Sequence, residues 1–274
     1  MATPAVPFDA MKTSGQFFAV LKSIAKFDEL EVAGVIRTQL SPSEREKCFI
    51  AIYLRSSANV ATLMELKHQK HFQAINMLAR TLFELAVDIR LIKVIPQACE
   101  KMIAYIDVEK LRCARKILKF HAAHPITKVD PTVYSSFVAN EGVKIDALRA
   151  ALWPSTTPRK TKLSHWSGLN LPDRIALLGA PFDEIYELNY PHLSWQVHSG
   201  LTGVVNMKAE TFTIMCGQSF MLAADSYREI LSAMIEEFKI QKANTMIGGK
   251  LMAAKMLPFT DSPEQAQKLL DELT

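Results

Sequence analysis

Residues 76–95, NMLARTLFELAVDIRLIKVI, restrict the folding of this chain more than any other stretch. Four polar side chains interrupt the segment at intervals of four: Asn76, Arg80, Glu84 and Asp88. An α-helix turns about 100° per residue, so positions four apart drift by only about 40° and form one narrow polar stripe. Nearly every other position is apolar, which predicts an internal helix with a buried or cleft-lining polar network. A narrow edge that faces water is the alternative interpretation.

A buried charge costs free energy unless it is paired and hydrogen-bonded, so the polar stripe needs partners. Arg80 and Glu84 are four residues apart and can bond to each other. A second helix must supply the rest, and YELNYPHLSWQVHSG is the best candidate because Tyr186, Tyr190, Ser194 and His198 are also four apart. Imidazole titrates near neutral pH, so a histidine near these charges could act as an acid, a base or an anion ligand. A single histidine is nevertheless more often structural.

Helical spacing runs along almost the whole chain and strand signals are nearly absent. The predicted fold class is therefore all-α, a single bundle of about six to eight helices. We expect a flexible N-terminus at residues 1–11, a helical domain over 12–255 and a short C-terminal helix or tail over 256–274. The predicted helix signals are a first helix over 12–25, an N-cap at Ser41 before Pro42 and Glu44, a helix end near Val94, a long helix over 209–242 and a terminal helix over 262–273.

Residues 153–173, WPSTTPRKTKLSHWSGLNLPD, are rich in Pro, Ser, Thr and basic side chains and show little periodicity. This composition predicts a long exposed loop. Arg159, Lys160 and Trp166 could contact a phosphate and stack on a base there. A solvated loop held by one tryptophan is the simpler interpretation.

Composition narrows the class of protein. With 49% hydrophobic and 22% charged residues, 274 residues can bury a large core. The net charge of +4 permits contact with nucleic acid or anionic lipid without arguing for either. No secretory signal and no sufficiently long apolar segment is recognisable, so we expect a cytoplasmic protein without a membrane partner.

Cofactor and metal sites are not predicted. The four cysteines form no C-x-x-C pair, which favours reduced thiols in the core. Glu65 and His68 have the E-x-x-H spacing of di-iron bundles, but a second copy of that motif is missing. We therefore expect neither a metal nor another cofactor.

Three segments in order, ARTLFELAVDIRLI, HWSGLNLPDRIALLG and YELNYPHLSWQVHSG, resemble the bacterial helical family DUF5677 over about residues 50–239. The family pattern combines an R-x3-E helix, a tryptophan-containing loop and a Y-x3-S-x3-H helix. It falls here on Arg80, Glu84, Trp166, Tyr190, Ser194 and His198. The resemblance implies that Arg80, Glu84, Ser194 and His198 form one constellation across two helices, and it names no activity.

A more distant similarity to the helical HEPN ribonucleases implies an arginine and a histidine near a scissile phosphate, usually at a dimer interface. Their R-x4–6-H spacing occurs at Arg115–His121 and Arg159–His165. About one such match is expected by chance, and lysine follows each arginine where those enzymes carry a small polar residue. If this chain cleaves RNA, Arg80 and His198 would take the place of that motif from two separate helices on a similar helical fold.

Two functions remain open. The first is an RNA-directed protein, such as a metal-independent endoribonuclease in a toxin or defence role, with RNA and a second copy of the chain as partners. Its catalytic residues would be Arg80, Glu84, Ser194 and His198, and its binding residues Asn76, Asp88, Tyr190, Trp166, Arg159 and Lys160. The second is a non-catalytic interaction or oligomerisation protein in which polar stripes set the register between helices.

Overall fold

A computed structural model describes residues 10–66, 68–124, 130–154, 163–197 and 208–240. Every regular element in these ranges is helical, which confirms the all-α prediction. The helices are α1 (Ala10–Phe27), α2 (Ala33–Arg37), α3 (Glu44–Glu65), α4 (Phe72–Leu91), α5 (Ala98–Ala123), α6 (Thr132–Leu152), α7 (Leu171–Leu178), α8 (Phe182–Val197) and α9 (Ala209–Phe238). A π-helical turn, Asp28–Val32, joins α1 to α2 without a break. If α1, the π-helical turn and α2 are counted as one continuous helix, the described ranges contain eight helices, which agrees with the predicted six to eight.

The chain divides into two units, the first formed by residues 1–90 and 178–274 and the second by residues 91–177. In unit 1, α1 packs along α9, and α3 packs against α9 as well. The α1–α9 contact is close at Gly217, where an added Cβ would lie 3.2 Å from the Ser14 Cα and 3.3 Å from a Phe17 ring carbon. A residue without a side chain therefore permits this approach of two helix backbones.

The core of unit 1 is aliphatic and aromatic. Almost every apolar position of α4 is buried, as the spacing in residues 76–95 predicts for an internal helix. The largest side chains with almost no exposed surface are Leu21, Phe49, Leu63, Ile75, Leu82, Phe83, Ile89, Phe220, Tyr227, Ile230 and Leu231. Burial of this apolar surface is the main stabilising contribution to the unit.

The start of α3 corrects one sequence prediction. Ser43, and not Ser41, is the N-cap: its hydroxyl accepts a hydrogen bond from the Glu46 backbone N–H at 3.3 Å. The Glu46 carboxylate in turn accepts from the Ser43 N–H at 2.7 Å, which completes a capping box and holds the pKa of that carboxyl below its usual range. The sequence holds two overlapping S-x-x-E patterns, Ser41 to Glu44 and Ser43 to Glu46. The second pattern forms the cap, and its side chains accept from the backbone N–H groups of Ser43 and Glu46.

Two helix ends also differ from the predicted positions. α4 ends at Leu91, three residues before Val94, because the chain already turns there and the N–H groups of residues 94 and 95 both donate to the Leu91 carbonyl. α9 ends at Phe238 because Lys239 adopts a left-handed conformation with φ of 52°. The predicted end at residue 242 was therefore too late. The predicted terminal helix over 262–273 lies outside the described residues.

In unit 2, α5 packs against α6 around a small core of Val108, Leu111 and Ile145. Residues 153–154 and 163–170 of the predicted loop are not helical, and α7 begins at Leu171. The Trp153 indole N–H donates to the backbone carbonyl of Trp166 at 2.8 Å, which ties the two described ends of this segment together. Residues 155–162 lie outside the described ranges.

Across the described ranges, no helix combines the length and the apolar character needed to cross a lipid bilayer. The proposed division into residues 1–11, 12–255 and 256–274 stays a prediction, although α1 already begins at Ala10.

Candidate functional site

The polar stripe of α4 lies partly in the interior of unit 1. Asn76 is 1% exposed, whereas the Arg80 and Glu84 side chains keep 21% and 34% of their surface exposed. Asp88 is also partly buried. The stripe is thus neither a solvated helix face nor a sealed core network, and its middle residues can be reached from solvent.

Arg80, Glu84 and Tyr190 form one contact group, here called the Arg80 cluster. The Arg80 Nε donates to the Glu84 Oε1 at 2.9 Å, and the Tyr190 hydroxyl donates to the same oxygen at 2.9 Å. The Arg80 guanidinium carbon lies 4.8 Å from the centre of the Tyr190 ring, a cation–π distance. Because Tyr190 belongs to α8, the hydrophilic edges of α4 and α8 meet in this cluster.

The aromatic surroundings position Tyr190. Its ring centre lies 6.0 Å from that of Phe83 and 5.0 Å from that of Tyr186, and Phe83 also faces Phe182 at 6.2 Å. α8 therefore contributes an apolar contact to α4 beside the polar one. The rings of Phe83 and Tyr186 pack against the Tyr190 ring and so hold its hydroxyl group beside Glu84.

Burial is the main cause that raises the pKa of Tyr190 well above that of a free phenol, and the adjacent Glu84 carboxylate adds to it as a charge and as a hydrogen-bond acceptor. The positive charge of Arg80 opposes the shift but does not cancel it. The phenol is consequently neutral at physiological pH. It can donate a hydrogen bond and cannot serve as a base.

Several other residues of the predicted site have no described side chain. The backbone of Ser194 lies in α8, one turn beyond Tyr190, but its side chain is outside the described residues. His198, Arg159 and Lys160 are also outside them. The structure thus brings Arg80, Glu84 and Tyr190 together, and the roles given to Ser194 and His198 stay predictions.

Asn76 has a different environment from the Arg80 cluster. Its amide donates to the Phe72 carbonyl at 2.9 Å, and its side-chain oxygen accepts from the buried hydroxyl of Ser219 on α9. A cavity of about 10 Å³, enough for about one water molecule, lies beside these two side chains. This end of the polar stripe fixes α4 against α9 and offers little room for a ligand.

Trp166, for which the sequence allowed either stacking on a base or anchoring of a solvated loop, is buried. Trp166 is 5% exposed, so its indole presents no open face in this arrangement. Its neighbour His165 lies 2.8 Å from the Ser167 hydroxyl through Nδ1 and accepts from the Arg174 guanidinium at 3.0 Å through Nε2. Arg174 is itself only 6% exposed. These contacts stabilise the HWSG turn in unit 2.

A buried carboxylate network was not anticipated from the sequence. Asp28, 7% exposed in the π-helical turn, accepts from the Tyr53 hydroxyl at 2.7 Å and from the Tyr227 hydroxyl at 2.5 Å. Since Tyr227 donates to Asp28, the Ser57 hydroxyl at 2.9 Å must donate to Tyr227. An aspartate in the mainly apolar stretch AVLKSIAKFDELEVAGVI was the available signal.

Burial is the largest influence on Asp28 and raises its pKa, although hydrogen bonds from Tyr227 and Tyr53 and the charge of Arg37 act in the opposite direction. Burial likewise raises the pKa of both phenols far above the ordinary value, and the Asp28 charge reinforces this. Both tyrosines therefore remain donors over the whole physiological range. The network joins the π-helical turn, α3 and α9.

Among the described residues, no group of three or more His, Cys, Asp or Glu side chains is placed so that it could hold a metal ion. Glu65 is the last residue of α3 and His68 lies beyond the helix end, where its Nδ1 accepts from the Lys70 N–H at 3.1 Å. The E-x-x-H spacing therefore does not fall on one helix face.

Comparison with known proteins identifies the family of this chain but does not identify an activity. Residues 47–211 match DUF5677, a family of unknown function, and this range contains α4, α8 and the loop between α6 and α7. No curated protein and no solved structure matches the chain. The matched range covers more than half of the sequence and includes all three motifs that suggested the resemblance. The chain belongs to the DUF5677 family.

Proposed function

We propose that this protein acts on RNA and that the Arg80 cluster is where it holds a phosphate. The observation that carries the proposal is that the Arg80 guanidinium is held in one orientation while part of its side chain stays exposed. It is oriented by the Glu84 carboxylate and the Tyr190 ring, yet its side chain keeps 21% of its surface exposed. An arginine held in one orientation loses less conformational entropy when it binds an anion, and its planar fork matches phosphate oxygens.

Each proposed residue has one role. Glu84 orients Arg80, and the neutral phenol of Tyr190 holds Glu84 in place by donating to the same carboxylate oxygen. Ser194 would support the site by hydrogen bonding. His198 would be the general acid and base.

The chemistry we propose is cleavage by the ribose 2′-hydroxyl. His198 accepts the proton of that hydroxyl, whose oxygen forms a new bond to the adjacent phosphorus. The bond from phosphorus to the 5′-oxygen breaks, and the leaving oxygen takes up the proton that His198 has accepted, so that His198 serves first as base and then as acid. Arg80 stabilises the charge on the phosphate oxygens. No metal or external oxidant is required for this step.

The test compares RNA cleavage by the wild-type chain with that of two histidine variants. We expect His198→Ala to lower single-turnover cleavage of a labelled RNA by roughly 10²–10⁴-fold, the range for loss of a general acid or base. His124→Ala is the matched control, because His124 is exposed at the end of α5. Cleavage by the control should equal wild type, and both variants should melt like wild type. Absence of cleavage by the wild-type chain would refute the ribonuclease proposal.

A second candidate is a non-catalytic protein whose polar stripe fixes helix register. Two observations favour it: Asn76 binds Ser219 of α9, and Glu84 binds Tyr190 of α8. On this proposal Tyr190→Phe, which removes only the hydroxyl, lowers thermal stability and leaves any RNA reaction unchanged. If the same variant changes the reaction at unaltered stability, the ribonuclease proposal is favoured instead.

A further inference from the structure

A groove on unit 2 lies between α5 and α6 and has a volume of about 310 Å³. Ligand pockets in proteins range over roughly 300–1,000 Å³, so the groove has room for one small organic molecule. Its lining contains the three core side chains Val108, Leu111 and Ile145, together with the partly buried Leu163. One part of the groove surface is thus apolar.

Positive side chains line the same groove. Five of them are cationic, Arg112, Arg115, Lys116, Lys119 and Arg149, while only two lining residues are acidic. The groove carries three positive charges in excess, compared with a net charge of +4 for all 274 residues. Such a concentration of one sign attracts anions, because a concave surface strengthens the local field.

The two acids are already engaged with arginines. Asp146 accepts two hydrogen bonds from Arg115, at 3.0 and 2.6 Å, and Glu109 accepts one from Arg112. These bonds raise the pKa of both arginines and hold their guanidinium groups in place.

Lys116 and Lys119 differ from these arginines. Both are exposed, and neither forms an ion pair with another residue in the described part of the chain. They are three residues apart on α5 and therefore share a helix face, an arrangement of like charges that is unfavourable without an anion.

We propose that this groove binds a nucleotide, with its phosphates on Lys116 and Lys119 and its base against the apolar lining. Lysine ammonium groups act as point charges toward phosphate, and the aliphatic side chains offer the base a surface away from water. A bare phosphate would use the cations alone and would make no contact with the aliphatic side chains. The inference concerns a different part of the chain from the Arg80 cluster and does not rest on the proposed ribonuclease activity.

The experiment measures binding of four probes to the full chain by titration calorimetry: ATP, adenosine, inorganic tripolyphosphate and a 12-nucleotide single-stranded RNA. ATP should bind, and adenosine and tripolyphosphate should each bind more weakly than ATP. Lys116→Ala combined with Lys119→Ala should weaken binding by about tenfold or more, since removing even one charge-assisted hydrogen bond weakens binding by about that factor.

A double variant with the same loss of charge is the control. Lys110 pairs with Asp107, Lys144 is 82% exposed on α6, and neither lines the groove. Lys110→Ala with Lys144→Ala should therefore bind every probe like wild type. A third variant, Leu163→Ser, should weaken ATP binding and leave tripolyphosphate binding unchanged, because Leu163 belongs to the apolar lining.

The four probes distinguish the possible occupants of the groove. Lysine-dependent binding of ATP supports the proposal, whether or not the RNA also binds. Lysine-dependent binding of the RNA without binding of ATP would overturn it in favour of a groove for a nucleic-acid strand. Tripolyphosphate binding as tightly as ATP would overturn it in favour of a plain anion site. Equal binding of ATP by the two double variants, or no binding of ATP, would also overturn it. None of these results depends on whether His198→Ala affects RNA cleavage.

Discussion

Removal of the Tyr227 hydroxyl is the most direct probe of the buried network around Asp28. The Tyr227→Phe variant keeps the ring, so its packing in the core of unit 1 is preserved. It removes a hydrogen bond of 2.5 Å to a carboxylate that is only 7% exposed, together with the bond that the Ser57 hydroxyl donates to Tyr227 at 2.9 Å. The carboxylate then retains the hydrogen bond from the Tyr53 hydroxyl at 2.7 Å and has little access to water to replace the missing donor.

The magnitude follows from the charge of the acceptor. Hydrogen bonds to charged groups contribute about 1.5–3 kcal/mol, and loss of a donor also leaves part of the buried carboxylate unsatisfied. We expect Tyr227→Phe to lower the free energy of unfolding by about 2 kcal/mol. For a domain of about 150–250 residues, each kcal/mol shifts the Tm by about 2–4 °C, so the expected decrease is about 4–8 °C.

Urea denaturation and thermal melting followed by circular dichroism measure both quantities. Asp28→Asn supplies the second arm of a double-mutant cycle, because an amide has a similar shape without the charge. In the Asp28→Asn background, Tyr227→Phe should cost less than in the wild-type background. A loss below about 0.5 kcal/mol in the wild-type background, or equal losses in the two backgrounds, would refute a charge-assisted bond between Tyr227 and Asp28.

Asp28 also makes stability depend on pH, in a direction opposite to that of a paired surface aspartate. Burial raises its folded-state pKa above the ordinary value of 3.8, so the folded state binds the proton more tightly than the unfolded state. The stabilisation from this difference is complete below about pH 3.8 and is lost as pH rises through the folded-state pKa. Relative to Asp28→Asn, the wild-type chain should therefore become less stable as pH rises from about 4 through the folded-state pKa of Asp28. Melting of both proteins across that range tests the sign, and a constant difference would contradict it.

Three further predictions concern separate parts of the molecule. Ser43→Ala should lower the free energy of unfolding by about 1 kcal/mol in urea, since it removes the N-cap of α3, whereas an unchanged value would mean that the cap is dispensable. Gly217→Ala should lower the Tm although alanine favours a helix by about 1 kcal/mol, because its Cβ would lie 3.2 Å from the Ser14 Cα; a higher Tm would show that α1 can shift. Cys216 should resist iodoacetamide until the chain unfolds, because burial raises the pKa of its thiol to about 11, while exposed Cys113 reacts in the native state; mass spectrometry of the labelled peptides distinguishes them.

The all-α fold followed from the sequence because helix formation depends on local periodicity. The apolar spacing around Asn76 places the internal helix within a few residues of its observed bounds. Helix ends were less predictable, since Ser41 and Ser43 offer alternative caps and the choice depends on which backbone donors are satisfied in the folded chain. The left-handed Lys239 is a further case, because lysine has no strong preference for that conformation.

The candidate site was predictable in part. The four-residue spacing of Arg80 and Glu84 was enough to predict their bond, which forms within one helix. The contact between Glu84 and Tyr190 joins residues 106 positions apart. The sequence predicted that the two polar stripes meet, but it did not predict that Tyr190 is the side chain that bonds to Glu84. The Asp28 network has no such pattern: its donors are 25 and 199 residues away, and each is the single tyrosine of its helix.

The sequence by itself determined the helical class, the interior position of α4 and the pairing within its polar stripe, because each depends on residues within a few turns of one another. Tertiary structure alone decided which hydroxyl groups reach Asp28, that Trp166 is buried, and that two core residues of α5 border a groove lined by cations. Those features require side chains from distant segments to meet at hydrogen-bond or van der Waals distance. Helix packing sets such distances, and no local pattern in the chain encodes them.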